Sequence, residues 1–329
     1  MIKTLVPNPK DAELAALIDD AEKIALQTKS VNTKRAYRSD LKLFVAWCDE
    51  HNLDSLPATN DAVALYMVYM DKIGRRPSTI RRALTSINQA HVLAGHPEPV
   101  DARVLELKKG IHRIRGRARK KKIAITLERL RRFIITTPND FIGTRDRALL
   151  LVGWTAALRR SELCAILHED LEERPEGFAL TLPRSKTDQE GVGRKIGLPF
   201  VDGEPTLCAV RALRKWLKLA KIESGPVFRI IGRSGYNKMF HIAGEKSISD
   251  KRVSLIIKSA ARRAGYESAE YSGHSLRSGL VTTLAHAGIS ETGIMGITGH
   301  KTSEMLREYI HEGQLFQDHP ITSLFSCRD

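Results

Sequence analysis

The chain has 329 residues, 42% of them hydrophobic and 28% charged, enough for two cores of ordinary size in a globular protein. Lysine and arginine total 53 against 38 aspartate and glutamate, a formal net charge of +15, which points to a polyanionic partner, either nucleic acid or an anionic membrane surface. No stretch approaches the roughly 20 apolar residues of a spanning helix, Met1 to Lys10 holds no apolar signal-peptide segment, and Cys48, Cys164, Cys208 and Cys327 are scattered without a CxxC pair. These features predict a reduced cytoplasmic compartment, no zinc site, no membrane, and a nucleic acid as the partner.

The first third predicts helices. Ser30 to Asn52 opens on Ser30, Asn32 and Thr33, then sets Tyr37, Leu41, Phe44, Val45 and Cys48 at three- and four-residue spacings, the stripe of an amphipathic helix. Thr59 or Asn60 caps a second helix that runs through Met70 to Gly74. Pro77, Ser78 and Thr79 start a third, stopped at Gly95 to Pro97, and a fourth covers about Asp101 to Ile114. Residues 30–115 therefore read as one all-helical unit behind a tail or short helix at 1–29.

Arg113 to Lys122 then carries Arg113, Arg115, Arg117, Arg119, Lys120, Lys121 and Lys122. Like charges at that density repel one another and seldom form the middle of a packed element. Residues 116–124 read as an interdomain linker lying along a phosphate backbone; a solvated tail of the fourth helix is the alternative. Beyond it, helices are predicted at Thr126 to Ile135, Asp140 to Ala156 and Arg160 to Leu167. Strands follow at Phe178 to Pro183 and Arg194 to Leu198, around a turn-rich segment. Further helices fall at about Pro205 to Ile222, Ser249 to Ala264, His274 to Ala287, Glu291 to Ile297 and Ser303 to Ile310. The fold class is mainly α: an all-helical N-terminal unit, then an α+β unit over 125–329 with a small antiparallel sheet.

Four segments hold the candidate chemistry: Ala157-Leu158-Arg159-Arg160-Ser161-Glu162-Leu163, Arg184-Ser185-Lys186-Thr187-Asp188, Ser272-Gly273-His274-Ser275-Leu276-Arg277, and Gly299-His300 with Tyr309 nine residues on. Singly each has a plainer reading: a solvated helix start, a helix-capping carboxylate at Glu162, a surface turn at Lys186, a packing tyrosine. Jointly and in this order they resemble the tyrosine recombinase (phage integrase) family, and from Tyr271 to Ile310 its Cre-type members. The likeness runs from about Ser30 to the end and is strong from Asp140 onward. It implies that Arg159 and Arg277 are catalytic arginines, Lys186 the hairpin lysine, His274 the histidine before the second arginine, His300 the histidine-or-tryptophan position and Tyr309 the nucleophile. Glu162 matches an acidic residue that supports the site from behind. Ala157 departs from the pattern, because glycine commonly precedes the Leu-Arg pair.

Phosphodiester cleavage through a covalent intermediate calls for these residue types. Guanidinium groups stay charged and pair with phosphate oxygens, His274 and Arg277 share a helix face three residues apart, and His274 can take the phenol proton while Lys186 protonates the leaving 5′ oxygen. Neither a GxxxxGK loop nor a carboxylate cluster for two metals is present, so no cofactor and no metal are expected. The resemblance further implies double-stranded DNA with inverted half-sites, a homotetramer on two sites, a Holliday junction and a nucleoid-associated location. Two rival readings are a type IB topoisomerase-like relaxing enzyme and a silent DNA-binding regulator on the same fold. Arg35, Arg75, Arg76, Arg81 and Arg82 join Arg115, Arg117, Arg119 and Lys120 to Lys122 as expected DNA contacts, the third helix's N-terminus also favouring phosphate. The apolar tail 313–329, with Leu315, Phe316, Ile321, Leu324 and Phe325, is expected to dock on a neighbouring protomer.

Overall fold

The computed structural model describes residues 31–115, 122–183, 193–234, 240–299 and 306. They fall into two compact units that divide after Lys120, mainly helical with small antiparallel sheets.

The first unit holds α1 (Val31–Glu50), α2 (Asn60–Lys72), α3 (Pro77–Leu93) and α4 (Ala102–Arg115). Thr59 is the cap of α2, its Oγ1 accepting from the Ala62 amide at 3.1 Å, which settles the choice between Thr59 and Asn60. Phe44, Trp47 and Cys48 of α1 meet Val63, Tyr66, Met67 and Met70 of α2 and Ile80, Leu84 and Ile87 of α3 in one core. Phe44 and Cys48 lie on the stripe that the spacing predicted, whereas Val45, placed on it too, is 41% exposed and Trp47 fills the core instead. His91 is buried within this unit: its Nε2 accepts from the Ala58 amide at 2.8 Å and its Nδ1 lies 2.9 Å from the Ile87 carbonyl, so a neutral ring with the proton on Nδ1 satisfies both.

The second unit contains α5 (Leu127–Ile135), α6 (Phe141–Thr155), α7 (Arg160–Ala165), β1 (Leu171–Arg174), β2 (Gly177–Leu182), β3 (Arg194–Pro199), α8 (Ala209–Ala220), β4 (Arg229–Ser234), β5 (Phe240–Ser247), α9 (Asp250–Arg263), α10 (His274–His286) and α11 (Glu291–Thr298). Helix α6 is the hub, buried without interruption from Ala148 to Gly153, with α5, α8 and α10 packed around it. Among the described residues two sheets occur where one was expected: β1-β2-β3 and the separate hairpin β4-β5. The charged strand Leu-Glu-Glu-Arg of β1 lies on the sheet edge with little burial, so it lacks the apolar alternation by which a strand is recognised. Glycines at 232 and 244 interrupt the apolar pattern of β4 and β5. The predicted helix from Pro205 is a 3-10 turn at Pro205–Leu207 followed by α8, because Cys208 between them is extended. Ile166 and Leu167 likewise leave α7 to pair with the Val227 and Pro226 segment.

Placement of α10 depends on an unusually close approach. The Ile125 amide donates to the Ser275 carbonyl at 2.9 Å, the Ile125 carbonyl accepts from Trp154 Nε1 at 2.7 Å, and a Cβ on Gly279 would lie 1.9 Å from that same carbonyl oxygen. Gly279→Ala should therefore destabilise the unit by about 3 kcal/mol, the upper range for overpacking against backbone. A urea midpoint equal to that of the wild type would show that the contact has slack.

Among the described residues no helix is long and apolar enough to cross a membrane, and no three His, Cys, Asp or Glu side chains gather to hold a metal ion.

Candidate active site

The site begins at the turn between α6 and α7. Ala157 takes a left-handed conformation, φ +49°, while its amide donates to Trp154 O and the Leu158 amide to Gly153 O, each at 3.0 Å. This double hydrogen bond is the Schellman pattern that ends many helices, and its left-handed position favours glycine. The preference for glycine before the Leu-Arg pair thus has a local cause. Alanine takes the same conformation at a cost of about 1–2 kcal/mol, partly offset because its methyl group is fully buried.

Arg159 follows as the residue preceding α7, with Glu162 in the helix's first turn. One Glu162 oxygen accepts from the Arg159 amide at 2.8 Å and the other from Arg159 Nη1 at 2.6 Å. One carboxylate thus caps the start of α7 and also holds the Arg159 guanidinium. The Glu162 side chain is 4% exposed and that of Arg159 20%, so a buried carboxylate holds a guanidinium that keeps some access to solvent.

Arg277 approaches from α10 and is 2% exposed. Its Nη1 donates to Ala157 O at 2.8 Å and its Nη2 to Thr298 O at 2.7 Å. One guanidinium therefore joins the α6–α7 turn, the start of α10 and the last turn of α11. The turn that strains Ala157 also directs its carbonyl to Arg277.

His274 opens α10 and reaches solvent, yet protein atoms crowd it. That desolvation, then the charges of Arg277 and Arg159, holds its pKa below the ordinary 6.5. Its imidazole is accordingly neutral at neutral pH and able to accept a proton. The depressed value has a stability consequence. The unfolded chain takes up this proton near 6.5 while the folded chain resists it, so the contribution is fully present above that pH and is lost as pH falls through the folded value. The urea midpoint should drop more steeply between about pH 7.5 and about pH 5 in the wild type than in His274→Asn; parallel slopes would remove His274 from this role.

One basic residue that sequence reasoning passed over also enters the site. Arg194, the first residue of β3, donates from Nη1 to Ile297 O at 2.9 Å and holds Nη2 3.9 Å from Glu162 Oε2. The sequence gives no sign of this, since a basic residue opening a strand is ordinarily exposed.

Arg159, Glu162, His274 and Arg277 thus come together, whereas Lys186, His300 and Tyr309 lie outside the described residues, as do Arg117, Arg119, Lys120, Lys121 and the 313–329 tail. In the first unit Arg35, Arg75, Arg76 and Arg81 are exposed. Four of the expected DNA contacts have protein partners among the described residues, Arg35 donating to Asn32 Oδ1 at 3.0 Å. Arg82 forms a paired hydrogen bond with the buried carboxylate of Asp40 at 2.7 and 2.9 Å, and Arg115 holds Asp71 at 2.8 Å. Lys122, in the second unit, donates to Ala269 O.

Residues 124–314 match the phage integrase family and residues 21–94 the phage integrase N-terminal SAM-like domain. The chain is 33% identical over 325 residues to an integrase/recombinase xerD homolog of Selenomonas ruminantium, covering 94% of this chain and 92% of that protein. It is 24% identical over 300 residues to recombinase cre of Escherichia phage P1, covering 86% and 85%. Its fold is similar to that of a lambda integrase dimer bound to a COC′ core site, at TM-score 0.58, 17% identity and coverage of 94% and 83%. The Tn1549 transposon integrase in complex with transposon right end DNA is similar too, at TM-score 0.59, 16% identity and coverage of 93% and 96%.

Proposed function

This chain belongs to the phage integrase family, the tyrosine recombinases that cleave and rejoin DNA, and from that premise we propose that it recombines specific sites in duplex DNA through a 3′-phosphotyrosyl intermediate on Tyr309. The observation that carries the reading is the grip of Arg277 on two carbonyls beside the Arg159–Glu162 pair. It fixes two guanidinium groups and a neutral imidazole in one place before any substrate arrives. Preorganised charge of this kind is usually the largest catalytic contribution.

In the proposed reaction Arg159 and Arg277 stabilise the negative charge that grows on the non-bridging oxygens as the Tyr309 oxygen attacks phosphorus. The phenol proton passes to His274. The bond to the 5′ oxygen breaks, and Lys186 supplies the proton that this oxygen takes. His300 adds a hydrogen bond to the phosphate. The phosphotyrosyl bond keeps the energy of the phosphodiester, and a 5′ hydroxyl from the partner duplex reverses the step. Four protomers on two DNA sites with inverted half-sites would exchange one strand pair, form a Holliday junction and exchange the second, the 313–329 tail of each docking on its neighbour. Leu306, just ahead of Tyr309 in the sequence, is buried against α10 and α11.

The test is covalent capture. A pool of nicked duplexes with randomised arms is incubated with the full chain, denatured, and screened for DNA that remains attached. Recovered sequences should share paired inverted motifs around a short spacer, with the DNA on Tyr309. Absence of any denaturant-resistant adduct would refute the proposal.

The linker adds a second expectation. Alanine at Lys120, Lys121 and Lys122 should weaken binding to every duplex alike. It should also flatten the slope of log affinity against log salt by about 2 to 3, near 0.9 for each phosphate no longer neutralised, with Lys122 contributing least because it also holds Ala269. Weakening confined to one target sequence would place these lysines elsewhere.

A further inference from the structure

We infer that Arg194 is a positioning residue of this reaction, a third guanidinium that holds Arg159 and the end of α11 in place without itself touching phosphate. The inference rests on the recombinase reading above.

Arg194 and Lys195 are adjacent on β3, yet the Arg194 side chain is 18% exposed and that of Lys195 65%. Inside the unit, Arg194 Nε and Nη2 are buried without a hydrogen-bond acceptor among the described residues. Burial, reinforced by Arg159 and opposed by Glu162, lowers its pKa from arginine's ordinary value. For packing alone a leucine or methionine would serve better, since neither brings a charge and two unmatched donors out of water. The retention of a guanidinium is explained by what stands at its two ends.

At one end is Glu162. Its Oε2 takes the Arg159 amide and faces Arg194 Nη2 at 3.9 Å, while Oε1 holds Arg159 Nη1. A carboxylate between two guanidiniums divides its charge between them. Arg159 is thereby aimed by Glu162 but less fully neutralised by it, which leaves more positive charge for a phosphate. At the other end are successive carbonyls of α11: Ile297 O takes Arg194 and Thr298 O takes Arg277. The last carbonyls of a helix have no partners within it and carry its negative dipole end, so two cations are well matched there. Gly299 then turns with φ +66°, and a Cβ on it would stand 2.6 Å from Arg194 Nη1. Arg194 thus shapes the path by which the chain leaves α11.

The experiment uses the full chain and, as probe, the nicked duplex that the wild type itself selects from the randomised pool. Adduct formation is followed in single turnover at saturating protein, beside the Kd for the same duplex and the thermal midpoint. Arg194→Met should slow adduct formation about 30-fold while Kd stays within about threefold. Arg194→Lys, which keeps a charge but cannot span both ends, should recover part of that loss and remain about tenfold slower than the wild type. In a Glu162→Gln background Arg194→Met should cost less than about threefold, because coupled residues are non-additive. A Met variant that is folded and as fast as the wild type would overturn the inference, and so would penalties that multiply in the double variant. Should the Met variant not fold, the Lys variant decides alone: wild-type speed overturns the inference, and a tenfold loss with unchanged Kd supports it. Failure of the wild type to form any adduct would instead count against the recombinase reading.

Discussion

Tyr309→Phe is expected to abolish the denaturant-resistant adduct, a loss of about four orders of magnitude or more, while the Kd for duplex DNA stays within about threefold. The substitution removes one oxygen and no ring atom, so packing and DNA contacts should survive where the nucleophile does not. Tyr66 and Tyr271 offer poor substitutes. Tyr66 is buried in the core of the first unit and its phenol is pushed up to about 12 by burial. Tyr271 is 1% exposed, packs edge-on to Phe133 and leans on Tyr266, and its pKa is raised mainly by burial. A phenol so placed neither reaches a phosphate nor ionises easily. Undiminished capture by Tyr309→Phe, with the DNA mapped to another tyrosine, would transfer the nucleophile and end the assignment.

Much of this protein was legible in its residues because the chemistry constrains residue type and order. Helices α1 to α3 showed as apolar stripes, since each buries one face. Arg159, His274 and Arg277 showed as local words, and the proposed mechanism sets them on one phosphate. What stayed hidden follows from the same physics. Strand β1 is an exposed edge of charged residues, so no burial pattern marks it. Arg194 resembles any basic residue at a strand start, and only the fold reveals that it points inward at Glu162 and Ile297. Arg82 and Arg115 looked like free cations, yet Asp40 and Asp71, 42 and 44 residues away in sequence, stand beside them. Long-range ion pairs leave no local signature. Ala157 is the reverse case, an apparent departure from the family pattern that becomes intelligible as a left-handed helix end paired with Arg277.

Arg277→Lys should slow adduct formation by about a hundred- to a thousandfold and destabilise the catalytic unit by about 3 kcal/mol. Charge is conserved in this variant, so a purely Coulombic role would leave most of the rate intact. The guanidinium, however, holds Ala157 O and Thr298 O from two nitrogens in one plane, and an ammonium is a single point donor on a flexible stem. Whichever carbonyl lysine reaches, the other is left buried, and either the α6–α7 turn or the end of α11 loosens. Loosening the first displaces Arg159, which follows Ala157 by two residues; loosening the second displaces the chain entering His300. The rate loss should therefore exceed what weaker phosphate contact alone would produce. It should persist at temperatures where urea titration shows the variant fully folded. A folded Arg277→Lys protein within about tenfold of the wild-type rate would mean that the two carbonyl contacts are incidental to catalysis. The preorganisation on which the proposed mechanism depends would then have to lie elsewhere in the site.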